Sequence, residues 1–204
     1  MVANEELTRN ELAHRCGISL GTVATILEEL GHLGVVVETK DSRASVGRKP
    51  NIVRVVRNAK KILALDLASR NFAYEFLGVD LREEGHGTHR FEPTRSFEEN
   101  LRAMLREIRD YLERIGLRDE AIIGVGVSVP GSYRYGIDRI DNSPFPELHS
   151  ISLKTLIQEY FSQPILIDHD VFLAARAEIQ HYPEYEKRNV FYVFLGEGVG
   201  GALV

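Results

Sequence analysis

Residues 11–30, ELAHRCGISLGTVATILEEL, set two stretches of helical periodicity on either side of a single glycine. That arrangement leaves few choices of local structure. Thr8 stands where a helix N-cap belongs, and Glu11, three residues on, completes a capping-box pattern. Leu12 and Ala13 fall on the inward face of a short helix, and Gly17 suits the left-handed position that ends one. Ile18 is expected to plug the turn. Ser19 is expected to cap a second helix, in which Val23, Ile26, Leu27 and Leu30 recur at helical spacing. So short a turn sets two helices at a steep angle and leaves the second free to enter a DNA major groove.

Ser19, Thr22 and Thr25 place small hydroxyl side chains on one face of that second helix. They suit phosphates and base edges, and equally well plain capping and a polar surface. Strands are expected at 35–39 and 52–56, around a polar, basic segment at 40–46 that carries Arg43. Two strands about a basic loop make a wing. Gly47-Arg48-Lys49-Pro50 closes it. Proline holds the preceding residue extended, and an extended Arg48-Lys49 pair fits a narrow, A·T-rich minor groove. Only residues 1–7 precede Thr8, so the leading helix that would cover the apolar face of the pair is expected to be missing or stunted.

The net charge of −5 argues against a nucleic-acid partner until its distribution is considered. Between Lys40 and Lys61 there are eight basic residues and one acid, Asp41. From Ile62 onward, fifteen basic residues face twenty-three acids. The basic stretch reads as a DNA-facing patch or as a solvated linker. One cysteine, Cys16, rules out an intrachain disulfide and fits a reducing compartment. There is no apolar run of about 18 residues and no signal-peptide pattern, so a cytoplasmic protein away from membranes is expected.

The remainder alternates strand and helix. Residues 62–67 (ILALDL) form a buried-strand run ending beside Asp66, with 72–79 as its hairpin partner and a third strand near 88–91. Leu101, Met104, Leu105, Ile108, Tyr111, Leu112 and Ile115 give residues 97–115 one long apolar helix face. A strand at 121–129, a helix at 153–161, a strand at 164–167, a helix at 171–179 and a strand at 189–195 follow. This order predicts a mixed sheet with helices on its faces.

GRKP, a strand ending in Asp66, GVGVSVPG, a strand running into Asp168-His169-Asp170 and AARAE, and a strand running into GEGVGG occur in that order over nearly the whole chain. The order resembles the ROK (repressor, open reading frame, kinase) family, and its sugar-responsive repressors above all. The resemblance implies an α/β fold: an N-terminal winged helix-turn-helix over residues 1–57, then part of an actin-like, ribonuclease-H-like ATPase domain over residues 58–204. The second part would be the first lobe and the start of the second, which makes the chain look like a truncated member. Kinases of the family phosphorylate hexoses with ATP; its repressors bind a sugar or derivative and leave DNA.

The same resemblance assigns roles to residues. Asp170 takes the position of the kinases' catalytic base, which accepts a sugar hydroxyl proton, and His169 replaces the Asn that would bond sugar hydroxyls. The first phosphate loop, Asp-x-Gly-Gly-Thr in the family, reads Asp66-Leu67-Ala68-Ser69-Arg70 here. Without its glycines, backbone amides are kept from a phosphate, so ATP is not expected as a cofactor. Gly196, Gly198 and Gly200 match the second phosphate loop. Residues 131–148 match the loop that presents an Asn to sugar hydroxyls, which makes Asn142 or Ser143 a candidate; a surface turn rich in Asn, Ser and Pro reads the same way. The family's His/Cys zinc cluster lies beyond the stretch matched here, so no metal site is assigned.

The leading expectation is a DNA-binding repressor of sugar-metabolism genes whose kinase-like domain senses rather than reacts. Its partners would be a double-stranded operator, a small sugar or sugar derivative as inducer, and further copies of itself. The alternatives are an ATP-dependent sugar kinase and an inactive fragment of either. A fold cut after its first lobe would leave apolar surface on its last strands, residues 191–195 and 202–204.

Overall fold

Thr8 opens the first helix through both arms of a capping box. Its hydroxyl accepts the Glu11 amide at 3.3 Å, and the Glu11 carboxylate takes the Thr8 amide at 2.7 Å. A computed structural model of the chain describes residues 6–40, 51–56, 60–67, 71–185, 188–196 and 198–204. The chain divides into two compact units, Met1–Ile62 with Leu77–Glu84, and Leu63–Phe76 with Gly85–Val204.

The first unit holds β1 (Leu7–Thr8), α1 (Arg9–Cys16), α2 (Leu20–His32), β2 (Val36–Lys40) and β3 (Asn51–Val55). Its three strands form an antiparallel sheet in the order β1-β3-β2, with Lys40 opposite Asn51 at the end of the β2–β3 ladder. Val23 and Leu27 of α2 are buried, as are Leu7, Val35, Val36, Ile52 and Val53. Leu12 and Ala13 are only half-buried. Ile18 does not plug the turn: it is 37% exposed, and Ile26 is 41% exposed. With Ile26 open and only Val23 and Leu27 buried, the apolar spacing of α2 is satisfied along one stripe only.

A five-stranded sheet, most of it in the second unit, joins β4 (Lys61–Asp66), β5 (Asn71–Gly78), β6 (Glu83–Arg90), β7 (Ile122–Val129) and β10 (Ile165–His169) in the order β10-β7-β4-β5-β6. β7 and β10 are parallel. Helix α3 (Phe97–Arg114) packs on this sheet, burying Leu101, Met104, Leu105, Ile108 and Leu112 among Leu63, Leu65, Phe72, Val125 and Val127. Each such side chain contributes about 1.5–3 kcal/mol of burial. Ile115, expected on that face, lies past the last turn and is exposed.

Between β7 and β10 the chain forms a small hairpin, β8 (Ser132–Arg134) and β9 (Arg139–Asp141), and then α4 (Leu153–Gln158). Helix α5 (Asp170–His181) follows β10, and β11 (Phe191–Leu195) pairs antiparallel with β12 (Val199–Leu203). This last hairpin packs on α5 through Val171, Ala175 and Ala202. Its outer surface is apolar and open: Phe191, Val193, Phe194, Leu195, Val199 and Leu203 are all exposed. No helix among the described residues is long and apolar enough to cross a membrane.

Candidate functional site

The first unit presents α2 to solvent. Gly17 at φ +64° ends α1, and its amide reaches back to the carbonyls of Ala13 and His14. The chain is then redirected into α2 within three residues. Ser19 caps that helix by accepting the Thr22 amide at 3.1 Å. The hydroxyls of Ser19 and Thr22 lie 2.8 Å apart, and the Thr25 hydroxyl donates to the Gly21 carbonyl at 3.2 Å. All three residues are exposed, opposite the buried Val23 and Leu27. The predicted hydroxyl face therefore exists, but its polar groups already bond within the first turns of their own helix. Arg43, Arg48 and Lys49 lie outside the described residues.

The helix pair is braced to the sheet. The guanidinium of Arg9 forks onto both oxygens of Glu38 at 2.6 and 2.7 Å. Arg9 holds the Glu38 carboxyl below the usual carboxylate range. This brace ties the start of α1 to β2, the first strand of the expected wing.

In the second unit, the carboxyl ends of three neighbouring strands come together. Asp66 closes β4, and the amide of Leu67 donates to the Ser128 carbonyl of β7 at 2.9 Å. Asp168 and His169 of β10 stand in register with Ser128 and Val129. Crevices at such strand ends are where open α/β sheets take their ligands. Asp170 is the first residue of α5, with His169 as its N-cap, so the helix begins one residue earlier than its periodicity suggests. The Asp170 carboxylate accepts the Val171 amide at 2.7 Å and faces the His169 ring nitrogen at 3.1 Å. Asp168, His169 and Asp170 are all half-buried, within reach of solvent.

Pro130-Gly131 turns the chain out of β7. Gly131 sits at φ +138°, and a Cβ there would meet the Asp141 carbonyl at 2.7 Å and the Ser143 Cα at 3.2 Å. The glycine thus lets residues 141–143 cross the end of β7. Asn142 is left-handed at φ +56°, and the Ser143 hydroxyl accepts the Phe145 amide at 3.1 Å. The fold brings this loop to the same end of the sheet as His169 and Asp170. Ala68, Ser69 and Arg70 lie outside the described residues.

The glycines at 196, 198 and 200 belong to a hairpin. The Gly196 amide donates to the Gly198 carbonyl at 2.9 Å across the turn, and Gly200 lies within β12. A Cβ on Gly200 would meet Val171 Cγ2 at 2.7 Å, so its bareness admits the first turn of α5. Among the described residues, no group of three or more His, Cys, Asp or Glu is placed to hold a metal ion.

Two residues near the site escaped the sequence reading. The Asp138 carboxylate caps α4 from the β8–β9 turn, accepting the amides of Lys154 and Thr155 at 2.9 and 3.0 Å and the hydroxyls of Tyr133 and Thr155 at 2.7 and 2.9 Å. Burial alone would push its carboxyl up; those four donors hold it below the ordinary value. Burial, with Asp138 as acceptor, raises the Tyr133 phenol. Tyr135 bonds the backbone of Ile167, two residues before His169. A polar, aromatic turn hinted at such roles, but, Tyr133 aside, their partners lie 16 to 32 residues away.

Residues 72–204 match the ROK family. The chain belongs to the ROK family. Residues 1–37 match a winged helix-turn-helix DNA-binding domain. The xylose repressor of Caldicellulosiruptor bescii is 23% identical over 205 residues, covering 98% of this chain and 50% of that protein. A crystal structure of a ROK family transcriptional regulator, a homologue of the E. coli MLC protein, superposes with a TM-score of 0.77 at 15% identity, over 97% of this chain and 50% of that one. The ROK hexokinase of Thermus thermophilus superposes with a TM-score of 0.54 at 19% identity, over 71% and 45%. These likenesses to solved structures are likenesses of fold: a winged helix-turn-helix with part of an actin-like domain. The chain spans about half the length of the curated relatives it matches.

Proposed function

We propose that this ROK chain contributes the DNA-reading and sugar-sensing parts of a transcriptional repressor of sugar-metabolism genes. One observation carries the reading: a winged helix-turn-helix with an exposed second helix shares a polypeptide with a ROK domain. Double-stranded operator DNA would be held by the hydroxyl face of α2 (Ser19, Thr22, Thr25) and the basic residues Arg43, Arg48 and Lys49. A small sugar or sugar derivative would bind at the ends of β4, β7 and β10. There His169 and Asp170 exchange hydrogen bonds with its hydroxyls, and Asn142 or Ser143 closes over it. The proposed chain works as a regulator, as a homo-oligomer, in the cytoplasm, and without a cofactor.

Titration of a randomised A·T-rich duplex pool at low salt, with and without sugars, tests this. Sequence-selective binding that a sugar weakens supports it. Absence of binding at low salt, with sugar absent, sinks it. Asp170 favours a second reading, an ATP-dependent hexose kinase, because it stands where a base could take a hydroxyl proton. Coupled ATP consumption with glucose, N-acetylglucosamine, mannose and xylose separates the two. Turnover that is lost in Asp170→Asn would replace the repressor reading with the kinase one.

A further inference from the structure

We propose that α2 discriminates DNA sequence chiefly through thymine methyl groups and carries none of the Arg, Lys, Asn or Gln side chains that read guanine or adenine with paired hydrogen bonds. This rests on the repressor reading and names the chemistry its helix recognises. In the major groove, Arg or Lys reads guanine, Asn or Gln reads adenine, and apolar carbon reads the C5 methyl of thymine. Residues 20–32, LGTVATILEELGH, contain no Arg, Lys, Asn or Gln.

The residues that enter a groove first are those of the helix N-terminus. Here they are Ser19, Leu20, Gly21, Thr22 and Thr25, all exposed, with Leu20 exposed by 52%. Two of their three hydroxyl protons are committed, one between Ser19 and Thr22 and one from Thr25 to the Gly21 carbonyl. Apart from the one remaining proton on the Ser19–Thr22 pair, what these exposed residues offer is carbon: the Leu20 side chain and the two threonine γ-methyls. Exposed Glu28 and Glu29 occupy the third turn, where they repel phosphates and favour entry by the N-terminus. Cations elsewhere in the chain supply affinity through phosphates and a preference for narrow, A·T-rich grooves, but no readout of single bases.

The test uses the full chain and a duplex that the chain itself enriches from a random library. Binding is followed by fluorescence anisotropy at fixed salt while each thymine in turn becomes deoxyuridine, which deletes one methyl and no hydrogen-bonding group. Several positions are expected to weaken binding by about threefold or more. Replacing a sensitive T·A pair by 5-methylcytosine·G, which restores a methyl at the same edge, should recover part of the loss. Thr25→Ser keeps the hydroxyl and drops the methyl, and Leu20→Ala trims the exposed carbon. Each should make the protein blind to uracil at one position while leaving the salt dependence unchanged. An enriched duplex indifferent to every uracil overturns this inference alone. Failure to enrich any duplex overturns the repressor reading and this one with it.

Discussion

The hydroxyl of Tyr135 donates to the carbonyl of Ile167 at 2.6 Å and accepts the amide of the same residue at 3.1 Å. Ile167 lies on β10, which stands at one edge of the five-stranded sheet. An edge strand offers unpaired amides and carbonyls to any passing chain. Tyr135 occupies both groups at one position, just before the half-buried Asp168, His169 and Asp170. Tyr135→Phe, which removes one oxygen, is expected to cost about 1–2 kcal/mol in urea unfolding. Amide exchange at Ile167 should speed up selectively; unchanged exchange there would show that the hydroxyl does not protect the edge.

Asp138 gives a pH signature. Its folded-state carboxyl lies below the ordinary value, so its contribution to stability is full above the unfolded-state value. That contribution is lost as pH falls through the folded-state value. Asp138→Asn should lower stability at neutral pH by about 1 kcal/mol, the usual worth of a helix cap. The gap between the two proteins should then narrow in acid. Parallel unfolding curves at every pH would contradict the assignment.

Gly131 and Gly126 make a controlled pair. At Gly131 a methyl group collides with the Asp141 carbonyl, on a backbone at φ +138°; at Gly126, within β7, it meets nothing within 4 Å. Gly131→Ala is expected to cost about 2–3 kcal/mol. Gly126→Ala should be neutral or slightly stabilising, since the strand loses only glycine's freedom. Equal thermal midpoints for the two variants would refute the crossing of β7 by residues 141–143.

Arg48 and Lys49 bear on the DNA reading. Each cation that neutralises a phosphate steepens the fall of log K with log salt by about 0.9. Arg48→Ala and Lys49→Ala are each expected to flatten that slope by about one unit. Both substitutions should leave the sensitivity to uracil in place, because they remove charge and not carbon. A slope that does not change would remove these two residues from the interface.

Helix starts and the long core helix were legible because their causes are local. Thr8 with Glu11 and Ser19 with Thr22 bond across three residues, and the stripe from Leu101 to Leu112 is one helical period repeated. The β8–β9 hairpin was not foreseen, since three-residue strands leave little periodicity and their register depends on Gly131. A last strand is expected at 202–204, but β12 starts earlier, at Val199: its glycines read as a loop until Val171 is seen to need the space beside Gly200. The surroundings of the candidate site residues were not legible. That Asp170 begins a helix, and that Ser143 bonds an amide two residues on, are consequences of packing around them.

Asp138 holds the first turn of α4, and the next strand, β9, leads directly into Asn142, so a short, hydrogen-bonded path joins the loop to the helix. If a ligand in the crevice moves Asn142, shifted backbone resonances are expected at Lys154 and Thr155.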